Sequence, residues 1–177
     1  MTTPTEWMKD EYNDLVSKGF DWKPPVITGA SSARCIIDGT EKIMLCANNY
    51  LNLSTHPKVR QAAKDAVDTH GAGSGSVRPI AGNMDIHNQL EESIARFKNR
   101  EAALYYQTGF AVNSGLIPQL AGKNDAIISD QLNHGSIIDG VRLSGVKKEN
   151  RTIYLHNDMG SLEDQLKTMT KKCDKTL

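Results

Sequence analysis

The sequence predicts an α/β fold with a mostly parallel sheet flanked by helices. β-rich apolar runs alternate with amphipathic helical stretches across short loops, the pattern of βαβ units. Between Leu104 and Ser144, two successive candidate strands each end in a polar turn that opens into a helix. The chain carries no internal repeat and no low-complexity tract.

In chain order, Thr5 to Lys18 reads as an amphipathic helix. Trp7, Met8, Tyr12, Leu15 and Val16 fall near helical spacing, and Gly19 ends it. Such a stripe is expected to pack on the main body. Trp22 to Ser32, with Pro24-Pro25 and Gly29, reads as an extended connector. Arg34 to Ile37 and Lys42 to Leu45 flank Asp38-Gly39, which predicts a hairpin with a loop slightly longer than the tightest kind. Pro57 fits the first turn of a helix that reaches about His70, with Val59, Ala62, Ala63, Ala66 and Val67 as its stripe. Asn83 is placed to cap the next helix, whose core residues are Ile86, Leu90, Ile94 and Phe97. His87 on that helix reads as a structural hydrogen-bonding residue.

Ala102 to Tyr106 reads as a buried strand, stopped at Gln107-Thr108-Gly109-Phe110. The following helix contains Pro118, which should kink or shorten it. Ala126 to Ser129 is the next predicted strand, ending in Asp130 through His134. Ile137, Ile138 and Val141 mark the inner face of the helix after His134. Ile153 to Leu155 reads as a third strand, Leu162, Leu166 and Met169 as a last helix, and Lys171 to Lys175 as a solvated end.

Composition narrows the function classes. Twenty-one basic and twenty-one acidic residues cancel. That gives no electrostatic footprint for nucleic acid or an acidic membrane surface, so neither partner is expected. Three scattered cysteines without a C-x-x-C suggest free thiols in a reducing compartment, with no metal site. The opening residues hold no apolar signal core, and no run approaches membrane-spanning length. A soluble cytoplasmic protein is the expectation. Gly71 to Ser76 imitates a dinucleotide fingerprint, but a helix precedes it and no helix follows directly, so a Rossmann reading is rejected.

The candidate site lies at the ends of the two central strands. A hydroxyl and a glycine at a strand-to-helix turn suit an anion: helix-start N–H groups are unpaired, and glycine permits close approach. Ligands of open α/β sheets bind at such carboxyl ends. On residues alone, Thr108-Gly109 reads equally as an ordinary turn, His134 as a helix cap, and Asn48-Asn49 as a turn.

Several motifs together resemble the α-oxoamine synthases, a family of pyridoxal-phosphate (PLP) enzymes. The residues are Cys46-Ala47-Asn48-Asn49-Tyr50-Leu51, Ser76-Val77-Arg78, Gly82 with Asp85 and His87, Thr108-Gly109-Phe110, and Ile128 to Asp130 with Leu132 to Gly140. The likeness covers the family's N-terminal half. It implies the type I, aspartate-aminotransferase-like fold, with an N-terminal arm and hairpin at 1–49 and a partial large domain at 50–177. It implies a homodimer whose arm contacts the partner subunit. Thr108, Gly109 and Phe110 would bind the PLP phosphate, His134 would stack on the pyridine ring as a catalytic residue, and Asn48 would hold the amino-acid carboxylate.

Within the family the likeness points to glycine C-acetyltransferase, which condenses glycine with the acyl-CoA substrate acetyl-CoA to give 2-amino-3-oxobutyrate. An 8-amino-7-oxononanoate synthase-like enzyme is the alternative, and a non-catalytic half-fold binding module is a further one. The family's pyridine-pairing Asp and Schiff-base Lys lie beyond the matched stretch. No lysine here, Lys147, Lys148 and Lys171 included, sits in that motif. The expectation is a chain inactive alone, working in a complex with a separate C-terminal half, or else truncated or degenerate.

Overall fold

The computed structural model describes residues 3–177, so the first two residues of the expected arm lie outside it. The chain divides into two units, one ending at Gly82 and the other spanning Asn83–Leu177, each described by itself.

The first unit opens with helix α1, Glu6–Ser17. None of its residues is buried, and Trp7, Met8 and Tyr12 are each more than half exposed. The expected packing of its apolar stripe is therefore not made among the described residues of this unit. Strands β1 (Ile27–Thr28), β2 (Arg34–Ile37) and β3 (Thr40–Ile43) form an antiparallel sheet in that order. The hairpin is tighter than expected: Ile37 pairs directly with Thr40, leaving only Asp38 and Gly39 between. Both have positive φ, 47° and 78°, the backbone that a two-residue turn of matching twist requires. β1, absent from the sequence reading, forms because Val26 is tied to Asp38. The Asp38 carboxylate accepts its N–H at 3.0 Å, and its carbonyl accepts the Asp38 N–H at 3.0 Å.

Helix α2, Pro57–His70, has the predicted bounds. Pro57 supplies a helical φ where no N–H is needed. The His56 ring accepts the Lys58 N–H, and Gly71 at φ 77° ends the helix. A wide turn, Arg78–Gly82, closes the unit. A Cβ on Gly82 would stand 1.9 Å from the Ser76 carbonyl oxygen, so only glycine fits there.

The second unit starts with α3, Asp85–Lys98, one residue later than an Asn83 cap would place it. The His87 ring accepts the Met84 N–H at 3.0 Å, the structural role expected of it. Residues 102–106 form no strand among the described residues, and Leu104 is 66% exposed, which corrects the predicted buried strand. An apolar run specifies an extended segment, whereas a strand also needs a neighbour. Here the Tyr105 N–H goes to the Glu91 carboxylate instead, at 2.9 Å.

Helix α4, Gly109–Leu120, continues only two residues past Pro118. Strands β4 (Ile127–Asp130) and β5 (Arg151–Tyr154) are parallel and joined through α5 (Gly135–Leu143). Helix α6, Met159–Met169, follows. Lys171, Lys172, Asp174 and Lys175 are exposed as expected, but the backbone that follows is paired. Thr176 bridges Ala126 in parallel: the Ile128 N–H donates to the Leu177 carbonyl and the Leu177 N–H to the Ala126 carbonyl, each at 2.9 Å, along the free edge of β4. Asp174 N–H also donates to the Asn124 carbonyl.

Ala121, Ile127 and Val146 form the core of this unit, with Ile117 and Val141 against them. Burying a side chain of Val146's size contributes about 1.5–3 kcal/mol. Arg151 spans the C-terminal side of α5, donating to the carbonyls of Arg142, Ser144 and Val146. These contacts fix α5 against the sheet and so fix its N-terminal end, where His134 stands. Among the described residues, no helix is long and apolar enough to cross a membrane.

Candidate cofactor and active site

The site is built on the starts of α4 and α5. Thr108 is the N-cap of α4, in extended conformation, and its hydroxyl oxygen accepts the Ala111 N–H at 3.0 Å. The hydroxyl proton stays available to a ligand oxygen. The N–H groups of Gly109 and Phe110 belong to the first helical turn, which has no intrahelical acceptor for them. A Cβ built on Gly109 meets nothing within 4 Å, so the space in front of this turn is open. Thr108, Gly109 and Phe110 are all exposed. This arrangement of one hydroxyl, two outward N–H groups and a helix dipole fits a phosphate dianion.

His134 is the N-cap of α5. Its Nδ1 accepts the Ser136 N–H at 3.1 Å and lies 2.7 Å from Ser136 Oγ. Ser136 is buried, and its Oγ accepts from Asn113 Nδ2 at 2.9 Å. With Nδ1 accepting, the neutral ring carries its proton on Nε2, and the imidazole itself is exposed. His134 is thus both a cap and a ring held in one orientation. The helices beneath it meet closely: a Cβ on Gly140 would stand 2.4 Å from the Asn113 carbonyl oxygen.

Asn113 and Ser136 were not singled out from the sequence. Ser136 lay inside the matched motif, two residues after His134, but its burial and its bond to Asn113 arise only when α4 and α5 pack. The structure therefore joins α4, the helix that the phosphate turn opens, to His134 through the side chains of Asn113 and Ser136, within a single unit.

Asn48 belongs to the first unit, exposed on the loop after β3. Its neighbour Asn49 organises that loop. The Asn49 amide donates to the Ser31 carbonyl and Ser54 Oγ at 3.2 and 2.7 Å, and its oxygen accepts the Ser54 N–H. Of the two amides, Asn49 is used by the fold, whereas the exposed Asn48 is suited to a ligand.

At the far ends of the paired strands, Asp130 sits beside Tyr154 in the register. The Leu132 N–H, donating at 2.8 Å, and then His156, whose Nδ1 lies at 2.9 Å, hold the Asp130 carboxyl down to about 2. The Tyr154 phenol is pushed up, by burial first and then by Asp130.

The fold is that of part of the large domain of the type I PLP-dependent transferases. Residues 40–176 match the model of the aminotransferase class I and II family. The 8-amino-7-oxononanoate synthase of Treponema denticola is 46% identical over 162 residues, covering 92% of this chain and 40% of that protein. The synthase of the same name from Symbiobacterium thermophilum is 48% identical over 163 residues, covering 92% of this chain and 41% of that protein. A serine palmitoyltransferase from S. paucimobilis, solved with PLP bound, superposes with a TM-score of 0.82 at 27% identity, over 97% of this chain and 44% of the other.

The chain belongs to the aminotransferase class I and II family, as a member of its α-oxoamine synthase branch, and its cofactor is PLP. It spans about 40% of the length of the curated relatives it matches.

Proposed function

We propose that this chain supplies the phosphate-binding and ring-stacking part of a PLP-dependent acyltransferase that joins an amino acid to an acyl-CoA thioester. One observation carries the reading: the helix with the open, unblocked start at Thr108-Gly109-Phe110 is tied, through Asn113 further along it and Ser136, to an exposed, oriented His134 ring.

In this reading, the Thr108 hydroxyl and the Gly109 and Phe110 N–H groups hold the phosphate. The His134 ring lies on the pyridine and sets its tilt. Asn48 orients the substrate carboxylate. PLP, when bound, supplies the electron sink for the bond broken at the amino-acid α-carbon. The division into an arm with hairpin (1–49) and a partial large domain (50–177), the homodimer or complex with a separate C-terminal half, and the cytoplasmic location belong to the same proposal.

The names of the relatives favour 8-amino-7-oxononanoate synthase chemistry over the glycine and acetyl-CoA reaction expected from the sequence. An amine and a ketone on adjacent carbons are what an amino acid and an acyl thioester leave when joined at carbon. In 8-amino-7-oxononanoate the amine sits next to the terminal methyl, so the amino acid carries a methyl side chain, as alanine does, and its carboxylate leaves as CO2 while the thioester releases CoA. The other seven carbons come from a dicarboxylic acyl group. The motif likeness at Cys46 to Asn49 and Ser136 to Gly140 keeps glycine with acetyl-CoA as the second reading.

The test assays the chain together with a polypeptide carrying the remainder of the family fold, including its Schiff-base lysine. Alanine and glycine are each paired with acetyl-CoA and with a seven-carbon dicarboxylic acyl-CoA. Turnover with alanine and the long acyl group is expected. Turnover with glycine and acetyl-CoA alone would transfer the assignment to the second reading. No release of CoA from any pair would overturn both.

A further inference from the structure

We propose that Asp130 and His156 form a tie that positions the His134 ring, by locking the loop after β4 to the loop after β5; the cofactor-facing purpose of that tie rests on the reading above.

Ser136 holds the His134 ring from the α5 side. On the other side, Gln131 and Leu132 are exposed, so burial does little to hold the loop that leads to it. Hydrogen bonds hold it, and they converge on Asp130. Its Oδ1 accepts the Leu132 N–H at 2.8 Å, and its carbonyl accepts the Asn133 N–H at 3.2 Å. Asn133 in turn donates to Ser129 Oγ at 2.9 Å. The Asp130 side chain is only 16% exposed, so its rotamer is set by its surroundings.

The same Oδ1 meets His156 Nδ1 at 2.9 Å, across 26 residues of sequence. Gln131 N–H donates to the Tyr154 carbonyl at 3.0 Å, completing the link between the two loops. A carboxylate shared between a turn N–H and an imidazole stays in one place, because each donor removes a direction in which it could rotate. The turn therefore delivers His134 to the start of α5 at a fixed height and angle. His156 is 56% exposed and touches no part of the phosphate turn in the bonds it makes, so it acts through Asp130. It is a positioning residue. A displacement of about 1 Å at a ring that orients a reacting bond is enough to cost a large factor in rate.

The test uses the full chain with His156→Phe, which keeps a ring and removes the donor. It also uses His156→Asn, whose amide nitrogen can stand where Nδ1 stood. Without cofactor, His156→Phe is expected to speed hydrogen exchange of the Leu132 amide about tenfold and to shift the His134 ring resonances. His156→Asn should restore both. With PLP added, His156→Phe should reduce the visible circular-dichroism band, which reports ring orientation. Affinity for inorganic phosphate, held by α4, should stay within twofold of wild type. Unchanged Leu132 exchange and unchanged His134 resonances in His156→Phe would overturn the tie. A wild-type chain that binds no PLP, with the exchange result intact, would remove the cofactor reading and leave the tie standing.

Discussion

Gly140 lies against the carbonyl of Asn113 so closely that an added Cβ would stand 2.4 Å from the oxygen. This crossing sets the distance between α4 and α5, and with it the distance between the phosphate turn and His134. Gly140→Ala removes a glycine from a helix interior, which in isolation favours folding. Here the close approach dominates, because backbone cannot move aside as a side-chain tip can. The variant should lose at least about 1–3 kcal/mol of stability, the usual cost of overpacking. Urea denaturation checks it. Gly135→Ala is the control, since a Cβ there meets nothing within 4 Å, and it should be near neutral.

Gly109 gives the opposite case. Its Cβ direction is open, so Gly109→Val should fold with little loss of stability. The branched side chain would then occupy the space through which a phosphate reaches the first-turn N–H groups. Affinity for PLP and for inorganic phosphate should fall at least tenfold, measured by titration, while the denaturation midpoint stays close to wild type. A variant that folds and binds phosphate unchanged would remove the α4 start from the site.

Asp130 predicts a pH dependence with a definite sign. Folding lowers its pKa from 3.8 to about 2, through the Leu132 N–H bond first and His156 second. The ionised carboxylate is therefore favoured in the folded state. Its contribution is fully present above the unfolded value and is lost as pH falls through about 2. Asp130→Asn cannot titrate. The stability difference between wild type and Asp130→Asn should be constant from neutral pH down to about 5 and shrink between roughly 4 and 2. Denaturation midpoints across that range test it, and a difference that grows on acidification would reverse the assignment.

Local rules made part of this molecule legible in advance. α2 begins at Pro57 and ends before Gly71 because both signals act on the backbone next to them. The Asp38-Gly39 hairpin was legible as a hairpin, though its loop is tighter than expected, and β4, α5, β5 and α6 alternate as the spacing implies. What failed needed a partner distant in sequence. Residues 102–106 have a strand's composition, yet no neighbouring strand among the described residues pairs with them. Lys171 to Lys175 read as a solvated end, and the pairing of the next residue, Thr176, with the free edge of β4 had no local signal. In the site, Thr108 and His134 stood out by motif, whereas Asn113 and Ser136 matter only because two helices cross where Gly140 allows it. The α1 stripe was visible as a pattern, but a pattern does not say what covers it.

His134 carries two roles that substitution can separate. Its Nδ1 caps α5 by accepting the Ser136 N–H, while its exposed ring faces are free to lie on a cofactor. His134→Asn keeps a capping acceptor and loses the ring. Stability should be nearly unchanged, because Asn is among the best cap residues. Cofactor-dependent turnover, assayed with the remainder of the family fold supplied, should fall about a hundredfold, since an unclamped ring misorients the bond to be broken. His134→Phe does the reverse. It loses the cap, at a cost of about 1 kcal/mol, but keeps a flat ring, so part of the turnover should survive. His134→Ala loses both, and its stability should match the Phe variant while its turnover matches the Asn variant. This crossed pattern is the signature of one residue doing two separable things. If Asn and wild type turn over alike, the ring has no role beyond the cap, and the phosphate turn alone remains as the functional feature of this unit.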